Sequence, residues 1–374
     1  MIFMKLVEEA GPGKARPIGT GPADTIDAVS AAVPTAAFAL AAAGPATLYP
    51  DTPPFRTHRL PVGDGHVLHV QEHGCAEGLP ALLLHGGPGS GCSPLLRRFF
   101  DPKRYRLICM DQRGAGLSRP RGDITHNTTA HLLADLRALR AHLGLARWLV
   151  VGGSWGATLA LAHAADQPQA VAALLLRASF LARADDLHWF FRGVAVEQPQ
   201  AWQHFADHAP AERRDDLLPW LAEVFAQHDP ARCRAIASAW SQWEQALASG
   251  AAAQASAPQA DDPALGAPVN PALDALIDRY RVQSHYLLHR CWLDSPTLLD
   301  RCAASPTVPT LLLHGREDRI CRPAGALALH RQLPHSALQW LDGVGHDPTH
   351  PAMVDAMVRA LQCYAAQGDF GSPA

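Results

Sequence analysis

The sequence predicts an α/β fold, with a mostly parallel central sheet and an inserted helical cap subdomain. Two observations predict it. Short apolar segments alternate with segments of helical spacing in the first half of the chain, a rhythm typical of a parallel sheet with helices on both faces. The rhythm stops over residues 181–299, which have helical spacing and no strand-like runs, and then resumes. A helical block between two parts of one α/β pattern indicates a cap.

The elements of the first part begin with a hairpin at residues 58–70, around the turn GDG at 63–65. Leucine spacing predicts an amphipathic helix over residues 128–143, leading into a strand that starts at Trp148. The other strands expected before the cap are residues 79–84, 105–110 and 171–176. The elements expected after it are strands at 308–313 and 338–341 and a helix at 352–366.

The changes in pattern also predict domain boundaries. We expect a flexible extension over residues 1–46, a first part of the core over 47–180, the cap over 181–299, a second part of the core over 300–366 and a C-terminal tail over 367–374.

The extension is rich in Ala, Gly and Pro and has no periodicity. A secretory signal fits less well, because its apolar stretch lies late and contains Pro34. A start codon assigned too far upstream is a third interpretation. A loop dense in Ala, Pro and Gly interrupts the cap at 249–271.

Composition excludes several partners. The 374 residues carry a formal net charge of -3, so no basic field for nucleic acid or an anionic membrane is expected. The eight cysteines are scattered without C-x-x-C or Cys/His metal spacing, and are interpreted as reduced thiols of a cytoplasmic protein without a metal site. No oligomeric state is predicted.

The segment GGSWG at 152–156 follows the strand at Trp148 and has the form G-x-S-x-G. In a nucleophile elbow of this form, a strained turn lifts the serine hydroxyl clear of a parallel sheet. Ser154 is therefore the candidate nucleophile. Taken alone, the pattern also fits a glycine-rich turn with a solvated serine, because roughly one chain in ten of this length would contain it by chance.

A serine hydroxyl needs a base with a pKa near 7, itself held by an acid. The segment HGRED at 314–318 places an acid just after a strand, and GVGH at 343–346 places a histidine in the next such turn. The order Ser154, Asp318, His346 is that of elbow-type serine hydrolases.

Neighbouring residues leave alternatives open. Glu317 could supply the acid, but the shorter side chain of Asp318 suits a buried orienting group. Asp347 could tune the pKa of the adjacent base. His85 and His314 also follow strands, and for both we expect a packing or hydrogen-bonding role.

The segment HGGPG at 85–89 offers bare backbone N–H groups after a strand, which can cradle an anion or form an oxyanion hole. No G-x-G-x-x-G opens a helix here, which disfavours dinucleotide binding. We expect the N–H groups of Gly87 and Trp155 to form the oxyanion hole, since Trp155 follows the nucleophile.

From about residue 48 to residue 364, the chain resembles proline iminopeptidases, which are prolyl aminopeptidases of the α/β-hydrolase superfamily. The motifs that carry the resemblance are HGGPG at 85–89, DQRGAGLS at 111–118, NTT at 127–129, GGSWG at 152–156 and HGRED at 314–318. The resemblance implies cleavage of an N-terminal proline from a peptide, without a metal or organic cofactor.

The segment WSQWE at 240–244 resembles the family's W-x-x-W-E, whose glutamate binds the substrate ammonium. The resemblance makes Glu244 the candidate for that role, the alternative being an exposed helix glutamate. Where the family usually has a second glutamate, this chain has Gln283. Loss of a buried charge contact typically costs about 2–5 kcal/mol, although an amide can still accept one hydrogen bond from the amine.

Four aromatic and basic residues complete the expected site. Arg177 and Phe180 match family positions near the substrate, while Phe190 and Phe191 stand where the family often has tyrosines. A phenylalanine keeps an apolar wall for a proline ring but loses a hydroxyl. Packing within the cap is the alternative role for both.

The function that these residues and the resemblance favour is that of a cytoplasmic serine exopeptidase. It would release N-terminal proline from peptides through an acyl-enzyme. An esterase or an aminopeptidase of broader specificity on the same fold is the first alternative. A hydrolase-like binding protein that no longer catalyses is the second, and the complete set of catalytic candidates argues against it.

Overall fold

A computed structural model describes residues 44–371 apart from residues 228, 249–270 and 305–306. Most of the expected extension, the expected loop in the cap and the last three residues of the tail lie outside the described residues. Among the described helices, none is both long and apolar enough to cross a membrane. All eight cysteines lie in the described part of the chain and are free thiols.

The described residues form an eight-stranded sheet with the strand order β1-β2-β4-β3-β5-β6-β7-β8. Its strands are β1 (Arg56–Pro61), β2 (Val67–Gly74), β3 (Leu79–Leu84), β4 (Tyr105–Asp111), β5 (Trp148–Gly153), β6 (Val171–Arg177), β7 (Thr310–Gly315) and β8 (Ser336–Leu341). Strand β2 pairs antiparallel with β1 and β4, and all other neighbours pair in parallel. The predicted α/β fold with a mostly parallel sheet is confirmed.

Helices cover the sheet and build a separate layer after β6. They are α1 (Pro94–Arg97), α2 (Thr129–His142), α3 (Trp155–Asp166), α4 (Ala184–Phe191), α5 (Pro199–Ala206), α6 (Leu217–Gln227), α7 (Pro230–Ala248), α8 (Pro271–Leu288), α9 (Leu298–Ala303), α10 (Pro323–Gln332) and α11 (Pro351–Gln367). No β-strand occurs in the described part of residues 181–299. Strand β7 begins at Thr310, two residues after the expected start, because Pro309 has no N–H to donate to a neighbouring strand.

The central strands are apolar on both faces because both faces are covered. In β3, Leu82 and Leu84 belong to one apolar core, whereas Ala81 and Leu83 belong to a second core on the opposite face. Successive side chains of a strand point to opposite faces, so an unbroken apolar run fills both cores at once. This is why these strands are recognisable in the sequence as continuous apolar segments.

The helices after β6 have an aromatic core of their own. Trp240 of α7 stacks on Tyr280 of α8 with ring centroids 4.5 Å apart. Trp202 of α5 meets Trp243 of α7 edge-on at 5.4 Å. Offset and edge-on aromatic pairs of this kind stabilise packing beyond the area that they bury. The packing fixes α7 against α8, the helices that carry Glu244 and Gln283.

A buried ion pair anchors the turn after β4 to helix α2. Arg113 donates from Nε and Nη2 to the two carboxylate oxygens of Asp135, at 2.7 and 2.8 Å. Both side chains are almost fully buried. Arg113 also donates to the carbonyls of His126 and Val62, at 2.9 and 3.0 Å. The guanidinium therefore connects three separate segments beneath the sheet's carboxyl edge.

Replacing Asp135 with alanine leaves the buried Arg113 charge with only a longer pair, to the exposed Asp64 carboxylate at 3.5 Å. The Asp135→Ala variant is expected to lose about 3–5 kcal/mol of unfolding free energy, as measured by urea denaturation. The control is Asp166→Ala, which removes a solvent-exposed pair with Arg137 and should cost only about 0–1 kcal/mol. Equal losses in the two variants would contradict this account of the buried pair.

Candidate active site

The turn at Ser154 joins β5 to α3 in a conformation that non-glycine residues rarely adopt. Ser154 has φ 56° and ψ −124°, and such strain is found where a site requires it. A side chain at Gly156 would collide with the Leu84 carbonyl of β3, and one at Gly152 would collide with the Gly156 carbonyl. The two glycines therefore let α3 lie against the strands, and the serine sits at the tip of the turn.

Asp318 and His346 lie after β7 and β8, the two strands beyond β6 in the sheet. His346 Nδ1 lies 2.8 Å from Asp318 Oδ2. The other carboxylate oxygen of Asp318 accepts the backbone N–H groups of Ile320 and Cys321, at 2.9 and 2.8 Å. Burial alone would raise the pKa of the Asp318 carboxyl, but the charge and hydrogen bond of His346 outweigh it and hold that pKa below its ordinary value. The carboxylate is thus ionised and oriented at neutral pH.

His85 lines the cavity that contains Ser154, whereas Glu317, Asp347 and His314 do not. Glu317 is exposed, and Asp347 accepts the N–H of Thr349 at 2.8 Å. His314 is fully buried, with Nε2 2.8 Å from the Cys321 carbonyl.

Ser154 and His346 line one cavity of about 260 Å³. The Ser154 hydroxyl lies 3.8 Å from the Cys321 sulfur, and in the described part of the chain no hydrogen bond joins it to His346. Catalytic hydrogen bonds are often long before substrate binds and shorten in the complex. The three candidate residues are therefore brought together, with the serine–histidine contact still open.

The glycine turn after β3 lies on the opposite side of the serine. Gly87 has φ +110°, which glycine adopts without strain. Gly87 and Trp155 both line the cavity. Within the described residues, neither backbone N–H donates to a protein acceptor. Both N–H groups are therefore available to an oxyanion.

Gln112 connects this turn to the elbow, a role that the sequence did not reveal. Its side-chain amide donates to the His85 carbonyl at 3.0 Å and accepts from Trp155 Nε1 at 2.8 Å. Its backbone N–H donates to His85 Nε2 at 3.1 Å. Burial lowers the pKa of His85, which favours the neutral ring that this bond requires. The signal in the sequence that could have indicated this role was the position of Gln112 inside the motif DQRGAGLS at 111–118.

Arg177 lines the cavity and contacts both the elbow and the turn that carries His346. Its side chain packs against Gly153, and Nη1 donates to the His346 carbonyl at 2.9 Å. Burial lowers the pKa of Arg177, and the Asp318 carboxylate opposes that effect. The guanidinium thereby connects the elbow to the turn that carries His346.

Glu244 of α7 lines the same cavity, and three donors surround its carboxylate. Oε1 accepts from Gln283 Nε2 at 2.8 Å, and Oε2 accepts from Arg279 Nη2 at 2.6 Å and from the Tyr280 hydroxyl at 3.1 Å. Gln283 Oε1 is buried and has no hydrogen-bond partner among the described residues. Sequence reasoning missed Arg279, although it precedes Gln283 by four residues and so shares a face of α8 with it.

The apolar wall of the cavity includes Phe180 and Phe190. Phe190 packs edge-on against Phe191, with ring centroids 4.9 Å apart. Phe191 does not line the cavity; its ring lies 5.7 Å from that of Trp240 in the aromatic core. Of the two phenylalanines, Phe190 is the one that a substrate can touch.

Comparison with known proteins shows the family to which the chain belongs. Residues 80–350 match the family described as alpha/beta hydrolase fold, so the chain is an α/β hydrolase. It is 39% identical over 323 residues to a proline iminopeptidase of Xanthomonas citri, covering 85% of this chain and 99% of the relative. A proline iminopeptidase of Arabidopsis thaliana is 35% identical over 317 residues, which are 84% of this chain and 81% of that protein. The chain belongs to the proline iminopeptidase family.

Solved structures support the fold. A proline iminopeptidase-related protein of Thermus thermophilus aligns with a TM-score of 0.52 at 20% identity, covering 83% of this chain and 97% of that one. An esterase of a Rhodococcus species aligns with a TM-score of 0.52 at 18% identity, covering 83% and 98%. At such identities the likeness shows the fold alone.

The hydrogen bond between Asp318 and His346 predicts a specific loss on Asp318→Asn. An amide at this position can donate to Nδ1 and would favour the wrong tautomer of the ring. Turnover of an activated ester should fall by about 10⁴-fold in kcat, the scale known for such a change in another serine hydrolase. The neighbouring variant Glu317→Gln, at an exposed position, is the matched control and should retain wild-type kcat. A large loss of kcat in Glu317→Gln together with wild-type kcat in Asp318→Asn would assign the acid to Glu317.

Proposed function

We propose that this protein is a serine exopeptidase that releases N-terminal proline from peptides. The observation that carries the proposal is that Ser154, His346 and Glu244 line one and the same cavity. A nucleophile and an amine-binding group in one cavity suit a substrate whose scissile bond lies next to its free amino end. Relatives named as proline iminopeptidases, at 39% and 35% identity, support the same reaction.

The proposed chemistry is acyl transfer. Ser154 attacks the scissile carbonyl while His346 takes the hydroxyl proton, and Asp318 holds the imidazole and stabilises its charged form. The N–H groups of Gly87 and Trp155 bind the oxyanion that develops on the carbonyl oxygen. His346 then gives its proton to the leaving amine. Water repeats the sequence on the acyl-enzyme and releases proline.

Proline selectivity would arise from other residues that line the same cavity. Glu244 and Gln283 Oε1, which has no hydrogen-bond partner among the described residues, would accept hydrogen bonds from the secondary ammonium. Phe180 and Phe190 would contact the pyrrolidine ring. A residue preceding the proline would turn this ammonium into an uncharged amide without N–H donors, which would limit cleavage to the N-terminus.

We further propose that the enzyme acts on peptides in the cytoplasm. Its eight unpaired cysteines fit a reducing compartment. The steps above use only side chains and water, so no metal or organic cofactor is proposed. With a net charge of -3, neither nucleic acid nor a membrane is proposed as a partner.

A second candidate is an esterase or an aminopeptidase of broader specificity. Gln283 favours it, because the amine end has an amide where the family usually has a second acid. Comparing prolyl, alanyl and N-blocked prolyl amides with a short-chain ester separates the two functions. A clear preference for the free prolyl amide supports the first candidate, and equal turnover of all four supports the second.

The nucleophile is tested by Ser154→Ala. Turnover of prolyl para-nitroanilide should fall by about a million-fold, the scale for removing such a nucleophile. The wild type should also react with a fluorophosphonate probe at this serine, and the variant should not. Residual activity above a few per cent of wild type would refute the assignment, and a wild type that resists labelling would favour a non-catalytic binding protein.

The amine-binding role is tested by Glu244→Gln. This variant keeps the shape of the side chain and removes its charge, so kcat/KM for prolyl para-nitroanilide should fall by about 10–100-fold, as expected for one charge-assisted contact. Hydrolysis of a short-chain ester without an amine should change little. Equal losses on both substrates would remove Glu244 from the amine-binding site.

A further inference from the structure

The carboxylate proposed to bind the substrate's ammonium is already paired with a cation of the protein. Arg279 Nη2 lies 2.6 Å from Glu244 Oε2, and both side chains line the cavity. The Arg279 guanidinium also lies over the Tyr280 ring, 5.0 Å from its centroid. Only about a quarter of the Arg279 side chain is exposed, at 27%, and 15% of the Glu244 side chain. A pair so little hydrated interacts more strongly than one in water.

Each acid that lines the cavity is already paired with arginine. Glu244 and Arg279 cancel, and Gln283 and Tyr280 are neutral groups that donate to the same carboxylate. Asp186, the other acid lining the cavity, is paired with Arg183 at 2.7 Å and with Arg322 at 3.4 Å. An ammonium that enters therefore meets no net negative charge, and it must compete with Arg279 for Glu244. The acceptor left without a partner among the described residues is the neutral Oε1 of Gln283.

We propose that Arg279 is a specificity-determining residue: it acts as an internal cation that weakens the requirement for a charged amine and extends the substrate class to uncharged acyl groups of similar shape. The inference rests on the proposed function, because it concerns the same cavity and the same acyl transfer. A neutral ring leaves the Glu244–Arg279 pair intact and loses no ammonium hydration. A prolyl substrate loses the hydration of its ammonium and gains in return the Glu244 carboxylate, which it must share with Arg279.

Two substrates of the same shape isolate the effect. Prolyl para-nitroanilide carries the ammonium, and cyclopentanecarbonyl para-nitroanilide has carbon in place of that nitrogen. The quantity measured is the ratio of their kcat/KM values, which cancels changes in enzyme concentration and in the acyl-transfer machinery. Wild type should hydrolyse both substrates.

The test variant is Arg279→Met, which keeps an apolar stem against Tyr280 and removes the charge. The ratio should rise at least about tenfold in favour of the prolyl substrate, as expected when one charge-assisted hydrogen bond becomes available. The change should lie mainly in a lower KM for the prolyl substrate, since the released carboxylate binds ground state and transition state alike. The value of kcat/KM for the cyclopentane substrate should not rise, because its ring would cover a carboxylate that has lost its cation.

Two controls separate charge from structure. Arg279→Lys keeps the cation and should retain the wild-type ratio. Arg281→Met removes an arginine from the same helix that donates to the Phe225 carbonyl at 3.0 Å and does not line the cavity, so its ratio should also be unchanged. If Arg279→Met fails to fold, as judged by thermal unfolding, Arg279→Gln serves in its place.

The outcomes distinguish this inference from the proposed function. A wild type that hydrolyses neither substrate overturns the proposed function, and the inference falls with it. A wild type that hydrolyses only the prolyl substrate, or a ratio that the neutral variant leaves unchanged, overturns the inference and leaves the peptidase intact. A raised ratio in the neutral variant together with a wild-type ratio in Arg279→Lys supports it.

Discussion

The close approach of helix α3 to strands β5 and β3 is the constraint on which the site depends. Side chains at Gly152 and Gly156 would prevent it, and it forces Ser154 to φ 56°. The same approach sets the N-terminus of α3, and with it the Trp155 N–H, beside the serine. Helix N-termini favour developing negative charge, so the turn that exposes the proposed nucleophile would also supply part of the proposed oxyanion site.

The constraint extends to the turns that carry the proposed base, His346, and the second proposed oxyanion donor, Gly87. A side chain at Gly153 would displace Arg177, whose guanidinium donates to the His346 carbonyl at 2.9 Å. On the other side, Gln112 ties Trp155 to the His85 carbonyl. The elbow is thus linked by direct contacts to both turns that complete the site. A change in the elbow would shift both turns, because packed groups of this kind leave little room to relax.

The cap presents a different physical problem. A carboxylate in a little-hydrated cavity is unfavourable unless charges or donors compensate it. In this chain the compensation is internal, from Arg279, Tyr280 and Gln283. Such an arrangement stabilises the unliganded protein. If Glu244 binds the substrate ammonium as proposed, the ammonium competes with Arg279 for the carboxylate, so that stability and selectivity for a charged amine oppose each other at Glu244.

The sequence predicted the parts of this arrangement that are local. Strands such as β3 are continuous apolar runs because the sheet is covered on both faces, and Ser154, Asp318 and His346 each lie in a short turn directly after a strand. What it did not reveal arises from contacts between segments distant in sequence. Gln112 meets Trp155 across 43 positions and Arg279 meets Glu244 across 35, and neither distance leaves a periodic signal. Phe191 lies in the aromatic core because of how α4 packs, which its residue type alone could not specify.

The central claim, acyl transfer from an N-terminal proline through Ser154, is tested most directly by trapping the intermediate. The enzyme is mixed with prolyl para-nitrophenyl ester, quenched in acid during turnover, digested and analysed by mass spectrometry. The account predicts a mass gain of one prolyl residue on the peptide that contains Ser154. Two results would contradict it while product is formed. One is a prolyl group attached to any other residue, and the other is the absence of an adduct under conditions in which acylation outpaces hydrolysis.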